Sequence, residues 1–261
     1  MKIGLFDSGL GGLLVYKKVA QKLPHYDYIY YGDTKNVPYG DRSESEIYKY
    51  TKTAVEYLFA QDCLLVVLAC NTASAETLRK LQDKYLKEQY PDRRIIGVIV
   101  PMVEEIVAHT CQQVLLLGTQ RTVSSGKYHI ELGKRDGLLT RIEAVATPAL
   151  VPLLEAGELI IATEIAAGII NDRLGRGDAV DGVLLGCTHY NLLLPSLRER
   201  YPGIVFFGQT EIIPRKLGEY LERHPEIEKR LTRSHSRTIY LTKHREDYDD
   251  MVKAPVTVKI N

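Results

Sequence analysis

Two short stretches of the chain place a cysteine in the same local setting. Leu64–Ser74 reads LLVVLACNTAS and Gly182–Leu192 reads GVLLGCTHYNL. In each, an apolar run ends in Ala or Gly, then Cys, then polar residues that open a helix candidate. A thiol with an ordinary pKa of about 8.5 is only a few per cent ionised at neutral pH. A reactive cysteine therefore needs a neighbouring base, a cation or a helix N-terminus. Asp7 is the candidate neighbour of Cys70, and His189 and Glu155 are those of Cys187. Three function classes fit such residues. Paired thiols on opposite faces of one carbon would remove a proton from one side and deliver another from the other. One thiol acting alone would serve redox or hydrolytic chemistry. A two-lobed protein that only binds a small ligand would have no need of the pair.

Three further segments carry polar groups where ligands bind. Asp7-Ser8-Gly9-Leu10-Gly11-Gly12 follows a short apolar strand and precedes a helix. Glycines there allow close backbone approach, and exposed amides at a helix start attract an anion. A dinucleotide fingerprint would need a third glycine where Leu14 stands. A carboxylate-binding loop fits better, beside the plainer reading of Asp7 or Ser8 as a helix cap. Gly32-Asp33-Thr34 through Val37-Pro38-Tyr39-Gly40 is a strand end followed by turn-forming residues, with Asp33 as a turn former and Tyr39 as a packing aromatic in the plainer reading. In Leu150–Gly157, Glu155 follows an apolar stretch, where a carboxyl can be held protonated and transfer a proton. It reads equally as a helix-start Glu beside the macrodipole. No C-x-x-C pair and no closed set of four ligands is present, so no metal site is expected. Cys63 and Cys111 read as buried free thiols.

The elements that must position these groups alternate. Strands are expected at Ile3–Phe6, Tyr28–Tyr31, Leu64–Ala69, Ile95–Val100, Val114–Leu117, Arg141–Val145, Gly182–Leu185 and Ile204–Phe207. Helices are expected at Gly11–Leu23, Ser45–Phe59, Ala73–Tyr90, Val103–His109, Ser125–Leu132, Glu158–Asn171 and Leu192–Arg200. Such alternation predicts an α/β fold with largely parallel sheets. The repeated Cys setting, 117 residues apart, predicts two similar α/β domains, each with its Cys just past the carboxyl end of a strand, where open α/β sheets bind ligands. The active site would then lie in the cleft between them. Glu226–Asp250 reads as a solvated helix and an edge hairpin, with β character at Ile239–Thr242 and Val256–Ile260.

Composition bounds the rest. The chain has 261 residues, 45% of them hydrophobic and 26% charged, which is ordinary for a globular protein. Thirty-four Lys and Arg against 33 Asp and Glu leave a net charge of +1, without the basic excess of a nucleic-acid binder. The longest apolar run, Leu64–Cys70, is far too short to span a membrane. The N-terminus lacks the apolar core of a signal peptide. A cytoplasmic protein with free thiols is expected.

Taken together, FDSGLGG (6–12), YGDTKNVPYG (31–40), ACNTASA (69–75), LVPLLEAG (150–157) and GCTHY (186–190) resemble the glutamate racemase family, within the aspartate/glutamate racemase superfamily. Gly118-Thr119 and Thr122 resemble that family's second-domain loop. The resemblance runs from about residue 1 to 207. It implies a cofactor-independent homodimer that interconverts L- and D-glutamate and supplies D-glutamate for peptidoglycan. It gives Cys70 and Cys187 the paired acid/base roles, with Asp7 assisting Cys70, and Glu155 and His189 assisting Cys187. Asp7, Ser8, Tyr39, Gly40, Asn71, Thr72, Thr119, Thr122, Thr188 and His189 would hold the substrate. It implies domains of 1–97 plus 207–261 and 98–206. Three departures from the family's usual residues stand out: Gly208-Gln209 for Asp-Ser, Val100 for Glu, and Thr147 for Cys. The choice of glutamate over aspartate rests on the resemblance alone.

Overall fold

The computed structural model describes residues 1–9, 11–135, 140–243 and, as backbone, 257–260. Leu10 of the glycine-rich loop, residues 244–250 of the charged stretch and Val256 lie outside the described residues.

The first sheet is built from apolar runs with a loop at each carboxyl end. β1 (Lys2–Asp7) leads into α1 (Gly11–Lys22), and β2 (Tyr28–Gly32) into a short 3-10 turn, Tyr39–Asp41. α2 (Glu44–Ala60) opens with a capping box. Ser43 Oγ accepts the Glu46 amide at 3.3 Å, and the Glu46 carboxylate accepts the Ser43 amide at 2.9 Å, so two otherwise orphaned donors are satisfied. Its buried face is Ile47, Ala54, Val55 and Leu58. β3 (Cys63–Leu68) is buried at every position, as a parallel strand covered on both faces must be. α3 (Asn71–Lys80), a π-helical turn at Leu81–Leu86 and α4 (Lys87–Gln89) then form one helical run before β4 (Arg94–Gly97).

The second sheet repeats the plan. α5 (Ile99–Ala108) precedes β5 (Gln113–Gly118), which is followed by α6 (Gln120–Ser124) and α7 (Lys127–Gly133). β6 (Arg141–Ala146), α8 (Leu150–Glu155), α9 (Leu159–Gly175), β7 (Gly182–Gly186), a 3-10 turn at Thr188–Leu193, α10 (Leu194–Arg200) and β8 (Val205–Phe207) complete it. The chain then returns to the first body through α11 (Gln209–Arg223), α12 (Pro225–Glu228), β9 (Arg237–Leu241) and β10 (Thr257–Ile260).

All strand pairs are parallel. The six-stranded sheet has the order β10-β9-β2-β1-β3-β4 and the four-stranded sheet the order β6-β5-β7-β8. The stretch β2-β1-β3-β4 and the second sheet therefore share one topology. β3 and β7, the strands that precede Cys70 and Cys187, hold equivalent places in it. The largest cluster of buried apolar residues spans both bodies, from Ile3 and Leu65 to Leu116 and Leu184 through α5 and α11.

Five expectations change. The strand expected at Ile95–Val100 ends at Gly97, and Ile99 and Val100 open α5. Pro101 then falls in the first helical turn, where its missing N–H has no intrahelical partner to lose. The helix expected at Ser125–Leu132 begins only at Lys127, as α7, because Gly126 before it has a left-handed φ of +60° and separates it from α6. The stretch Leu192–Arg200 begins as a 3-10 turn and becomes α-helical only at Leu194. Glu155 closes α8 instead of starting a helix, because LVPLLE itself is helical. The edge hairpin is replaced by a parallel pair, with β9 between β2 and β10 and buried at Ile239, Tyr240 and Leu241. α11 lay beyond the motifs and was not anticipated; it packs on α1 and α5.

Candidate active site

The carboxyl ends of the strands in both sheets meet at one cavity. In each sheet the chain leaves the first strand to one side and returns with the third on the other, so the loops after them open a crevice. Asp7 ends β1, and Cys70 follows β3. Gly118 ends β5, and Cys187 follows β7. Cys70 and Cys187 line the same cavity, and both are buried.

Cys187 is backed by a three-residue chain. Its Sγ lies 3.7 Å from His189 Nδ1, and His189 Nε2 lies 2.5 Å from Glu155 Oε1. Burial alone would lower the His189 pKa. The hydrogen bonds and charges of Cys187 and Glu155 outweigh it and hold the ring up at about 10. The imidazole is thus protonated through the neutral range, with one N–H on sulfur and the other on the carboxylate.

Cys70 sits differently. It caps α3, where its Sγ accepts the Ala73 amide at 3.5 Å, and Ser8 Oγ is 3.6 Å away. Burial, reinforced by the Asp7 charge, pushes its thiol up to about 12 despite the two hydrogen bonds. Cys70 is therefore held as a protonated thiol at neutral pH. Asp7 is fully buried, and burial raises its carboxyl to about 6 against the lowering effects of His189, Gly9, Thr188 and Gly12. Its hydrogen bonds come from the Gly9 amide at 2.9 Å and Thr188 Oγ1 at 3.1 Å. Asp7 holds the glycine-rich turn and reaches Thr188 of the second body, while its influence on Cys70 is that of a nearby charge.

Hydroxyls and amides complete the wall. Thr72 Oγ1 lies 2.9 Å from Thr119 Oγ1 and 3.3 Å from Thr122 Oγ1, joining the two bodies. Thr119 also caps α6 by accepting the Thr122 amide at 3.2 Å. Tyr39 lines the cavity, and its phenol donates to Asp33 at 2.7 Å. Gly40 lies so close to Thr119 that a Cβ there would approach its Cβ to 3.0 Å. The cavity is small, at about 30 Å³.

A sequence model of the Asp/Glu/Hydantoin racemase family matches residues 3–213. A glutamate racemase from Ruegeria pomeroyi is 34% identical over 239 residues, covering 87% of each chain. The chain belongs to the Asp/Glu/Hydantoin racemase family. Among solved structures, glutamate racemase isoform RacE1 from Bacillus anthracis superposes with a TM-score of 0.85 at 26% identity, covering 100% of this chain and 97% of that one. Glutamate racemase from Escherichia coli, solved with L-glutamate, gives 0.76 at 25% identity, covering 99% and 97%.

In this racemase-family chain, Ser8, Tyr39, Gly40, Cys70, Asn71, Thr72, Thr119, Cys187, Thr188 and His189 all line the cavity. Asp7, Thr122 and Glu155 stand one layer behind it, touching Thr188, Thr72 and His189 respectively. Sequence reasoning did not assign Thr147, Pro148, Val151 and Pro152, which form the second-body wall. Thr147 holds Tyr190, whose hydroxyl lies 2.8 Å from its Oγ1. The signal for these four was their place after β6, the counterpart of the Tyr39 loop after β2. Among the described residues, no group of three His, Cys, Asp or Glu is arranged to hold a metal ion, and no helix is long and apolar enough to cross a membrane.

Proposed function

We propose that this chain interconverts L- and D-glutamate by proton transfer between the substrate α-carbon and two thiols, Cys70 and Cys187, without a cofactor. The observation that carries this reading is the equivalence of the two cysteines: each follows the third strand of a like-ordered sheet, and both line one cavity. Membership of the racemase family and the glutamate racemases among its relatives support it.

One cysteine, as thiolate, takes the α-proton. The electron pair stays on the α-carbon, and the second cysteine, as thiol, delivers a proton to the opposite face. The roles exchange in the reverse direction, so no net charge or proton is lost. His189, held by Glu155, serves Cys187, and Asp7 provides the carboxylate on the Cys70 side. Ser8, Asn71, Thr72, Thr119, Thr122 and Thr188 offer hydroxyls and amides to the substrate's ammonium and carboxylates, with Tyr39 and Gly40 closing over it. An α-proton is so weakly acidic that positioning and preorganised dipoles must supply most of the rate.

The lobes of this reading are 1–97 plus 207–261 and 98–206, in a cytoplasmic homodimer whose product serves peptidoglycan. The test is circular dichroism of L-glutamate, D-glutamate and L-aspartate incubated with desalted, chelator-treated protein. Either glutamate enantiomer should lose its signal to zero. Activity that appeared only with added pyridoxal phosphate or metal, or only with aspartate, would overturn the proposal.

A further inference from the structure

Among the described residues, four buried side-chain atoms lack a hydrogen-bond partner: Tyr16 Oη, Thr51 Oγ1, Asn71 Nδ2 and Gln209 Oε1. Of these residues, Asn71 alone lines the cavity of the two cysteines. A buried N–H left unpaired costs about 1–3 kcal/mol, and at a cavity wall a ligand atom can remove that cost.

The two ends of a carboxamide have nearly the same shape, so its orientation is set by what pairs with them. At Asn71 the deciding partner is Tyr128. Its hydroxyl donates to Asn71 Oδ1 at 2.6 Å, and its ring is buried. Burial, with the nearby Cys187 charge, holds the phenol well above its ordinary pKa, so it remains a donor throughout the working range. A donor on Oδ1 leaves Nδ2 as the end turned elsewhere. The contact also crosses the molecule: Asn71 opens α3 after the first sheet, and Tyr128 lies on α7 after β5 of the second.

We propose that Tyr128 is a positioning residue that turns the Asn71 amide so that its N–H faces the cavity and grips a carboxylate oxygen of the amino-acid substrate. This deepens the racemase reading and rests on it. Because the two residues belong to different bodies, the donor is aimed only when those bodies are together. The grip forms on the bound substrate before any proton moves, so its loss weakens binding and raises KM.

The experiment compares wild type, Tyr128→Phe, Asn71→Ala and the double variant. Calorimetric binding of L-glutamate, KM and kcat in both directions, and thermal midpoints are measured on each. Tyr128→Phe keeps the ring and removes the hydroxyl. It should raise Kd and KM about tenfold, the size of one modest hydrogen bond. The same change in the Asn71→Ala background should have little further effect, since the two act as one unit. Unchanged binding in Tyr128→Phe, or independent, additive losses in the double variant, would overturn the positioning role. A lowered midpoint with unaltered KM would reduce Tyr128 to packing and overturn it too. Wild-type protein that binds glutamate without racemising it would overturn the reaction, while the Kd comparison still decided Tyr128. Wild-type protein that neither bound nor converted glutamate would overturn both.

Discussion

At the scale of single residues, the site is held in a protonation pattern that costs stability at one place and gains it at another. Asp7 has a folded pKa of about 6 against an ordinary 3.8. The native state therefore holds this proton more tightly than the unfolded chain. The Asp7 contribution is most favourable below about pH 4 and is lost as pH rises through 6. Two pKa units correspond to about 3 kcal/mol of penalty at neutral pH. Asp7→Asn should thus raise the denaturant midpoint at pH 7.5 and do so much less at pH 4.5, while turnover falls about 10²–10⁴-fold, the usual scale of an acid–base group. Equal destabilisation at both pH values would reduce Asp7 to a helix cap. His189 has the opposite sign. Its pKa rises from 6.5 to about 10 on folding, so its contribution is complete below about pH 6.5 and disappears as pH rises through 10. The stability gap between wild type and His189→Gln should narrow over that interval, and a gap that stayed constant would remove the charge from the argument.

At the scale of elements, α1 is driven against the site by two glycines. A Cβ on Gly12 would lie 2.1 Å from Asp7 Cβ, and one on Gly11 would lie 2.4 Å from the His189 amide nitrogen. Ala is ordinarily favoured over Gly in a helix by about 1 kcal/mol. Here the sign should reverse. Gly12→Ala should cost about 1–3 kcal/mol through overpacking and lower turnover, because α1 must shift away from Asp7. Gly168→Ala on α9, where nothing lies within 4 Å, should stabilise by about 0.5–1 kcal/mol. Thermal melts of the two variants check this, and Gly12→Ala behaving like Gly168→Ala would refute the close approach.

The same elements explain what the sequence could reveal. Cys70, Cys187 and Asp7 were legible because each stands at the end of an unbroken apolar run, and local pattern is enough to mark a strand's end; Thr119 was marked only by the family resemblance. Glu155 was legible only as a titratable group near apolar neighbours. Its pairing with His189 joins residues 34 apart in sequence, and no local period encodes that. α11 was missed although its apolar residues Ile212, Ile213, Leu217 and Leu221 are buried. It lay beyond the recognised motifs, and Pro214 inside it argues locally against a helix. The parallel pairing of β9 was out of reach because its partner β2 lies some two hundred residues earlier.

At the scale of the whole molecule, the two-body plan decides the stereochemistry that the proposed reaction allows. Cys70 follows the third strand of one body and Cys187 the third strand of the other, and in the proposed reaction a substrate held between them meets one thiol from each side. The cavity of about 30 Å³ is far below the few hundred Å³ of an ordinary ligand pocket, so the proposed reaction needs the site to open for glutamate and to close again to exclude water, which strengthens every polar contact inside. The proton removed then stays with one thiol, and the proton delivered comes from the other. Starting from one enantiomer in D₂O, early product should carry deuterium at the α-carbon while recovered substrate carries little, because the delivering thiol exchanges with solvent while the site is open. A single base serving both faces would return the original proton or wash deuterium into both enantiomers. Cys70→Ser and Cys187→Ser should each abolish racemisation, since a hydroxyl is a far poorer base than a thiolate. Each should still bind glutamate, because the carboxylate contacts come from other side chains. The thiol that remains should exchange the α-proton of one enantiomer only, and of opposite enantiomers in the two variants. Mass spectrometry of each enantiomer after chiral separation reads all of these outcomes. A Cys187→Ser protein that still interconverted the enantiomers near the wild-type rate would refute the paired-thiol mechanism, whatever its effect on binding.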